Sequence, residues 1–367
     1  MSDNSNRLDY SIYEIKGYPV KHKKKDPFRP DLKLDRTYHE MVEKIRHLDM
    51  RLDEMILSDK DYLDLVTDAY STNIHWSVKI EGNNLSLEEV RRITKLYTEG
   101  KSENESKNGP KQEILNHLYS FFAGDIFQQP WTLNTMITVH SILMKDVNSK
   151  VVPGEFRDVP ASIVGDDGFE YFITCPTNHI ESELKSLLDW LEFSPFDPVC
   201  TSILFFHEFE SIHPFSDGNG RTGRTLLQIL LQERGLKNSK LCKFELELLK
   251  DTETYYTLLA YTDETGDYVP FIFYVTEALL RSYEGAVQLF ESKDRLKELD
   301  EMTKTIAKRS KTVREFTVAD ANSWVSTVQD QTVRTKLKQL VSLGILEKEG
   351  NTRSTKYHFK DPFKDLK

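Results

Sequence analysis

The sequence predicts a mainly α-helical fold that carries a β-hairpin and ends in a small unit of two helices and two strands. Three observations predict it. Apolar residues recur at helical spacing through most of residues 36–302. Residues Ala161 to Ile173 alternate or are β-branched around an Asp166-Asp167-Gly168 turn, which is the mark of a hairpin. Beyond residue 302 the pattern changes to helix, helix, strand, polar turn and strand.

Composition sets the frame. At 367 residues the chain has room for two or three domains and a large core. A hydrophobic fraction of 38% with 29% charged residues is that of a globular protein in water. Cys175, Cys200 and Cys242 are odd in number, widely spaced and lack a CxxC pair, so neither a disulfide framework nor a zinc site is indicated. A reducing compartment fits. The start, MSDNSNRLDYSIY, lacks the apolar run of a signal peptide, and no stretch reaches the about 18 apolar residues of a membrane helix; a cytoplasmic protein is expected, with no membrane partner. The net charge of -10 conceals an asymmetry, because residues 303–367 hold 14 Lys and Arg against 7 Asp and Glu while the body is strongly acidic. Tail and body should therefore meet different partners.

The elements follow in order. Residues 1–35 are polar, with Lys21, Lys23, Lys24 and Lys25 ahead of two prolines, and read as an extended arm laid over the body or left mobile. Met41, Ile45, Leu48, Leu52 and Ile56 mark a helix. Leu63, Val66, Ala69 and Tyr70 mark the next, closed by Gly82-Asn83-Asn84 as a C-terminal cap. Ser86-Leu87-Glu88-Glu89 is a capping box, from which a helix should run to about Tyr97. Gly100 to Pro110 is a polar loop, followed by helices at Gln112 to Phe122 and, after an N-cap at Thr132, at Leu133 to Met144. His140 lies on the apolar face of the latter, where a satisfied buried histidine is expected. Ile180 to Leu191 is amphipathic, and Pro198 to Ile212 is apolar enough to be the central buried helix. After Asp267 two helical patterns lead to about Thr305.

The densest chemistry lies at His213 to Arg224, HPFSDGNGRTGR: an imidazole, a carboxylate, three glycines and two guanidinium groups. Pro214 restrains the backbone and Asp217-Gly218-Asn219-Gly220 forces a tight bend. Helical spacing resumes at Arg221, so the bend lies at a helix N-terminus. Successive N–H groups, glycines that permit close approach and the positive end of the helix dipole make an anion site, and the expected anion is a phosphate. Two overlapping motifs fail. Gly218 to Gly223 reads GxGxxG, but helices surround it where a dinucleotide fold needs a βαβ unit. His207-Glu208 begins like HExxH, but Ser211 stands where the second histidine belongs.

HPFSDGNGRTGR resembles the signature of the Fic family, HPFx(D/E)GNGRxxR, with every defined position present. Members typically transfer AMP from ATP to a protein hydroxyl on a helical core. The resemblance implies His213 as the base that takes the hydroxyl proton and Asp217 as the Mg²⁺ ligand. Gly218, Asn219 and Gly220 would cradle the phosphates, with Arg221 and Arg224 on the charge beyond the α-phosphate. Ser77-Val78-Lys79-Ile80-Glu81-Gly82-Asn83 matches (S/T)xxxE(G/N), which resembles the family's inhibitory motif. Ser77 and Glu81 share a helix face, and Glu81 would occupy Arg224 at the ATP site in place of the γ-phosphate. Pro153-Gly154-Glu155-Phe156-Arg157 resembles the PGxxR segment ahead of the family's flap. The hairpin would be that flap, with Val164 and Gly165 over the ATP site and a target strand added along it. Tyr255-Tyr256 resembles a pair placed near the adenine, with Tyr256 at the base and Asp263 as a polar candidate in the loop TDETGD.

The implied function is a self-inhibited protein adenylyltransferase that uses Mg²⁺ and ATP on a protein Ser, Thr or Tyr, its own included. AMP removal by the same site stays open, since in some relatives the inhibitory glutamate aligns the hydrolytic water; a homodimer stays open too. The tail is similar to a winged helix, with helices at Thr317 to Val325 and Thr332 to Leu343, a strand from Gly344 and a return at Thr355 to Phe359. Arg334 and Lys338 share a face of the second helix, and Arg353 and Lys356 lie in the wing, as contacts to DNA phosphates require. A DNA-binding regulator with a nucleotide-sensing body is the alternative. The expected division is 1–110 for the arm and inhibitory helix, 111–302 for the catalytic core and 303–367 for the winged helix.

Overall fold

The structure is a computed structural model that describes residues 9–101, 109–122, 130–165, 168–294, 299–325, 329–350 and 355–360. From residue 9 onward the arm is laid over the body. Strand β1 (Val20–Lys21) lies in it, and the Nζ of Lys25 reaches the buried carboxylate of Glu208 at 2.8 Å. Two long helices follow, α1 (Arg36–Glu54), capped by Asp35, and α2 (Asp59–Lys79), capped by Ser58, with Asp59 and Asp61 complementing the dipole of its first turn. α2 ends where the turn residues predict, with Gly82 at φ 92°. The predicted capping box holds, with Ser86 and Glu89 opening α3 (Leu87–Thr98), and α4 (Gly109–Phe122) and α5 (Leu133–Met144) complete the first half.

The hairpin is strands β2 (Ser162–Val164) and β3 (Glu170–Ile173), antiparallel with an irregularity between Ile163 and Val164. Its Asp166-Asp167 turn lies outside the described residues. The sheet has three strands rather than two, because β1 pairs in parallel with β3 at Val20–Phe172 and Lys21–Ile173. β2 is left as an edge.

Behind the sheet come α6 (Ile180–Glu192), α7 (Pro198–Ile212), α8 (Asn219–Glu233), α9 (Phe244–Leu249), α10 (Thr252–Thr265) and α11 (Val269–Lys293). α7 is buried on every side, from Val199 to Phe209 and again at Ser211 and Ile212, and joins one apolar core with α1, α8 and α11. That makes it the rigid post from which the next loop hangs. The first four residues of TDETGD are helix rather than the expected loop, since no breaker occurs before Gly266, which caps α10 at φ 81°. Asp263 is accordingly buried against the arm, where its carboxylate stands 3.6 Å from Lys25 Nζ and accepts from Ser211 Oγ of α7 at 2.7 Å.

The C-terminal unit comprises α12 (Glu301–Ser310), α13 (Val318–Trp324), α14 (Asp330–Ser342) and the hairpin β4 (Leu346–Glu349) and β5 (Lys356–Phe359), tied together by mutual backbone bonds between Phe316 and Tyr357. α12 straddles residue 303, and its Ile306 and Ala307 share the apolar cluster of α14. The unit docks on the connection between α1 and α2: Lys311 Nζ donates to the carbonyls of Asp53 and Met55 at 2.7 Å each, and Lys360 pairs with Asp59. Arg353 lies outside the described residues. Among those residues no helix is long and apolar enough to cross a membrane.

His207, which opens the failed HExxH motif, is buried between the rings of Tyr268 and Phe271. Desolvation pulls its pKa down to about 3, and that of His117 and His140 to about 4. Groups depressed in the folded state add stability above their ordinary pKa near 6.5 that is lost as pH falls through the folded values. The urea midpoint should therefore drop as pH is lowered from about 6.5 to 4; a midpoint flat over that interval would contradict the burial of these rings.

Candidate active site

α7 ends at His213, a non-glycine residue in the left-handed region at φ 53°, ψ 61°. What holds it there is Arg157 of the PGxxR segment. Its Nε donates to the His213 carbonyl at 2.7 Å, Nη2 to the carbonyls of Ile212 and Cys175, and its backbone N–H to Pro214 O. The bend that follows is locked by Asn219, whose side-chain oxygen accepts from Phe215 N–H while its amide donates to Phe215 O, each at 2.8 Å. The Asn219 side chain thus shapes the loop, and the backbone supplies the anion donors. The N–H groups of Asn219, Gly220 and Arg221 precede the first helical bond of α8, from Thr222 N–H to Gly218 O.

His140 is buried and satisfied as expected. It stacks on Phe215 with centroids 3.7 Å apart, accepts from Gly154 N–H and donates to the Asp217 carbonyl at 3.0 Å. The glycine of PGxxR thereby reaches the signature loop through one imidazole.

His213 itself is half-buried, with Nδ1 at 3.3 Å from the Glu210 carbonyl. A carbonyl only accepts, so Nδ1 carries the hydrogen and Nε2 keeps its lone pair. Burial pushes the pKa down to about 4, so the ring is neutral at neutral pH. Glu210 is pushed up to about 8 by the same cause, and Tyr255 is buried, which leaves half-exposed Tyr256 as the ring with a face to offer. Val164 is exposed on β2. The N–H of Gly165 donates to Phe169 O and its carbonyl accepts from Gly168 N–H, each at 2.9 Å, so both of its backbone groups close the hairpin.

Both arginines are held by carboxylates. Arg224, 2% exposed, donates from Nη2 to Glu81 Oε1 at 2.9 Å and to the Ser77 carbonyl at 2.9 Å, and from Nε to Ser77 Oγ at 3.1 Å. Glu245 of α9 stands 3.3 Å from the same Nε. Arg221 pairs with Asp217 at 2.6 Å and with buried Glu113 of α4. Asn83 sits apart from Arg224 and instead donates to Glu113 at 2.7 Å, so the Ser77–Asn83 stretch touches one arginine directly and the other through Glu113. A Cβ on Gly220 would come within 2.4 Å of Glu81 Oε1, which places that carboxylate directly on the first turn of α8. Sequence reasoning found Glu81 and missed Glu113, whose partner lies 108 residues away, and Glu245, whose partner is buried on another helix, neither with a local signal.

Asp217 is a hard oxygen donor beside the anion site, already accepting from Gly218 N–H and from Asn148 at 3.1 Å. Such a carboxylate fits Mg²⁺ shared with phosphate oxygens. Residues 130–231, which hold the PGxxR segment, the sheet strands β2 and β3 and the whole signature loop, match the Fic/DOC family. The chain carries a Fic domain. It is similar to the protein adenylyltransferase Fic of Aedes aegypti, 29% identical over 258 residues that cover 65% of this chain and 48% of that one. It is also similar to the protein adenylyltransferase fic-1 of Caenorhabditis elegans, 23% identical over 266 residues that cover 70% and 48%. The chain thus spans about half the length of the curated relatives it matches. In fold it resembles a Fic family protein from Desulfovibrio desulfuricans, with TM-score 0.60 and 22% identity over 91% of this chain and 98% of that one. Fic-1 from C. elegans follows at TM-score 0.54 and 18% identity, over 70% and 73%. The carboxylates on the two arginines, other than Asp217, lie outside the matched Fic domain.

Gly218 caps α8 at φ 79°, and a Cβ there would meet Met144 Sδ at 2.4 Å. Gly218→Ala should lower unfolding stability by about 1–3 kcal/mol in a urea titration, where an unstrained site would gain from the same change.

Proposed function

We propose that this protein is a self-inhibited protein adenylyltransferase that transfers AMP from ATP to a hydroxyl side chain of a protein, itself included. The observation that carries the reading is a neutral imidazole with a free Nε2 beside a helix N-terminus whose nearby arginines are covered by carboxylates. ATP lays its phosphates on the backbone N–H groups of Asn219, Gly220 and Arg221. The target oxygen attacks the α-phosphorus as its proton passes to His213 Nε2. The bond from that phosphorus to the bridging oxygen breaks, pyrophosphate leaves, and the products are protein-AMP and pyrophosphate. Mg²⁺, held by Asp217, supplies neutralisation of the phosphate charge when bound.

Arg224 receives the γ-phosphate only when Glu81 leaves it, and this competition is the inhibition. Tyr256 offers its ring to the base. The target strand adds to β2, the edge that β1 leaves open. The same residues serve AMP removal if Glu81, seated on Gly220, orients a water instead. The tail supports a separate role as a winged helix on DNA: Arg334 and Lys338 of α14 have no ion pair among the described residues, whereas Lys356 is committed to Glu315 at 2.7 Å.

The test is label transfer to protein from ATP labelled at the α or the γ phosphate. Label should come from α alone, rise about tenfold or more in Glu81→Gly, and fall by about 10²–10⁴ in His213→Ala. Label from γ would replace this reading with a kinase, and release of AMP from a modified protein without any transfer would replace it with the hydrolase. Because His213 titrates near 4, Glu81→Gly should show no acid limb at pH 6.5; such a limb would mean that the imidazole is solvated in the working state. For the tail, Arg334→Ala with Lys338→Ala should abolish salt-dependent DNA binding by the full chain.

A further inference from the structure

We infer that His22, Cys175 and Glu183 form a binding site for one divalent cation of the zinc type, which fastens the N-terminal arm to the core. The three residues come from three places. His22 follows β1 on the arm and donates its backbone N–H to Ile173 O at 2.8 Å; Cys175 lies just past β3; Glu183 is in the first turn of α6. Their ligating atoms all lie within 4.8 Å of one another, with Nε2 of His22 at 2.8 Å from Glu183 Oε2 and Sγ of Cys175 at 3.4 Å from Glu183 Oε1. The side chains of His22 and Glu183 are each 1% exposed, and Cys175 is buried as well. One nitrogen, one sulfur and one carboxylate oxygen are a zinc donor set, and bonds of about 2.0–2.3 Å would hold such atoms about 3–4 Å apart. Small side-chain adjustments bring the three to that spacing.

The ring of His22 is already set for a metal. Ser211 Oγ donates to Asp263 at 2.7 Å, so it accepts from Nδ1–H of His22 at 2.8 Å, and Nε2 is the nitrogen aimed at the cluster. This chain, from carboxylate through hydroxyl to imidazole, is how proteins fix the tautomer of a ligating histidine. Nε2 faces a carboxylate oxygen, so a proton lies between them, and the Cys175 thiol proton lies on the other oxygen. An arriving dication displaces both protons and leaves a thiolate, a neutral imidazole and a carboxylate, so charge is conserved. The site is tied to the Fic loop, because the Cys175 carbonyl accepts from Arg157, which also holds the His213 carbonyl. Sequence spacing could not show it, since the cysteine pattern contains no pair and the other two ligands lie 153 and 8 residues away.

The experiment is titration of chelator-stripped, full-length protein with Co²⁺ and Zn²⁺ in the presence of excess Mg²⁺. One Co²⁺ per chain should give a sulfur-to-cobalt charge-transfer band, release about two protons per ion, and be displaced by Zn²⁺. Zinc should slow hydrogen exchange at Val20–Lys21. Cys175→Ser should lose the band, His22→Ala should weaken binding by about a hundredfold, and Ser211→Ala, which removes the partner of His22 but no ligand atom, by about tenfold. Thermal melts establish that each variant is folded, and the wild-type band is read without any variant. Absence of that band, or its survival in Cys175→Ser, would overturn the proposal and leave the three side chains as a hydrogen-bonded cluster.

Discussion

A guanidinium enclosed in the protein interior is the constraint around which the structure closes. Arg224 is 2% exposed, and a buried cation costs several kcal/mol unless paired and hydrogen-bonded. Three elements converge to meet that need: the end of α2 brings Ser77 and Glu81, α9 brings Glu245, and α8 supplies the arginine itself. The charges of Glu81 and Glu245 hold Arg224 firmly protonated despite its burial. Desolvation pushes Glu245 up to about 7 in the same space. Around the two arginines stand four carboxylates, with Glu113 and Asp217 on Arg221, so the cradle is overfull of negative charge before any phosphate enters. Under the proposed function a polyphosphate would have to trade places with an acid side chain, and Glu81 is the one seated on Gly220.

The loop between α7 and α8 is held by groups that take no part in its chemistry. Arg157 grips four carbonyls, Asn219 clamps Phe215, and His140 bridges Gly154 to Asp217. Among them, the bonds to the carbonyls of Ile212 and His213 satisfy backbone groups that the left-handed turn takes out of the helix. The strained residue is affordable because it is over-determined from three sides, and the result is an imidazole whose free nitrogen has a fixed direction.

Much of this was legible in the sequence. The helices were readable because apolar spacing and capping residues are local, as at Ser86–Glu89, and the signature loop because its groups are contiguous. Glu81 was found for the same reason, since its motif is seven residues long. What stayed hidden depends on distant parts of the chain meeting. Glu113 means nothing until α4 is placed beside Arg221, and β1 is two residues that count as strand only when β3 lies alongside. Asp263 was misplaced because TDETGD looks like a loop, whereas Gly266 is the first residue able to end α10 there. Cys175 was set aside by a spacing rule that describes contiguous motifs, and His22 carried no local signal, because the cluster joins three elements folded together.

The arm's contribution to the sheet bears on which sides of the hairpin stay open to another strand. A free two-stranded hairpin has two sides on which another chain can add. With β1 occupying one side of β3, the sheet runs β1-β3-β2 and its two edges become unequal: Ser162–Val164 of β2 on one side and the two-residue β1 on the other. The arm thus covers the inner strand of the hairpin and leaves β2 as the longer of the two edges.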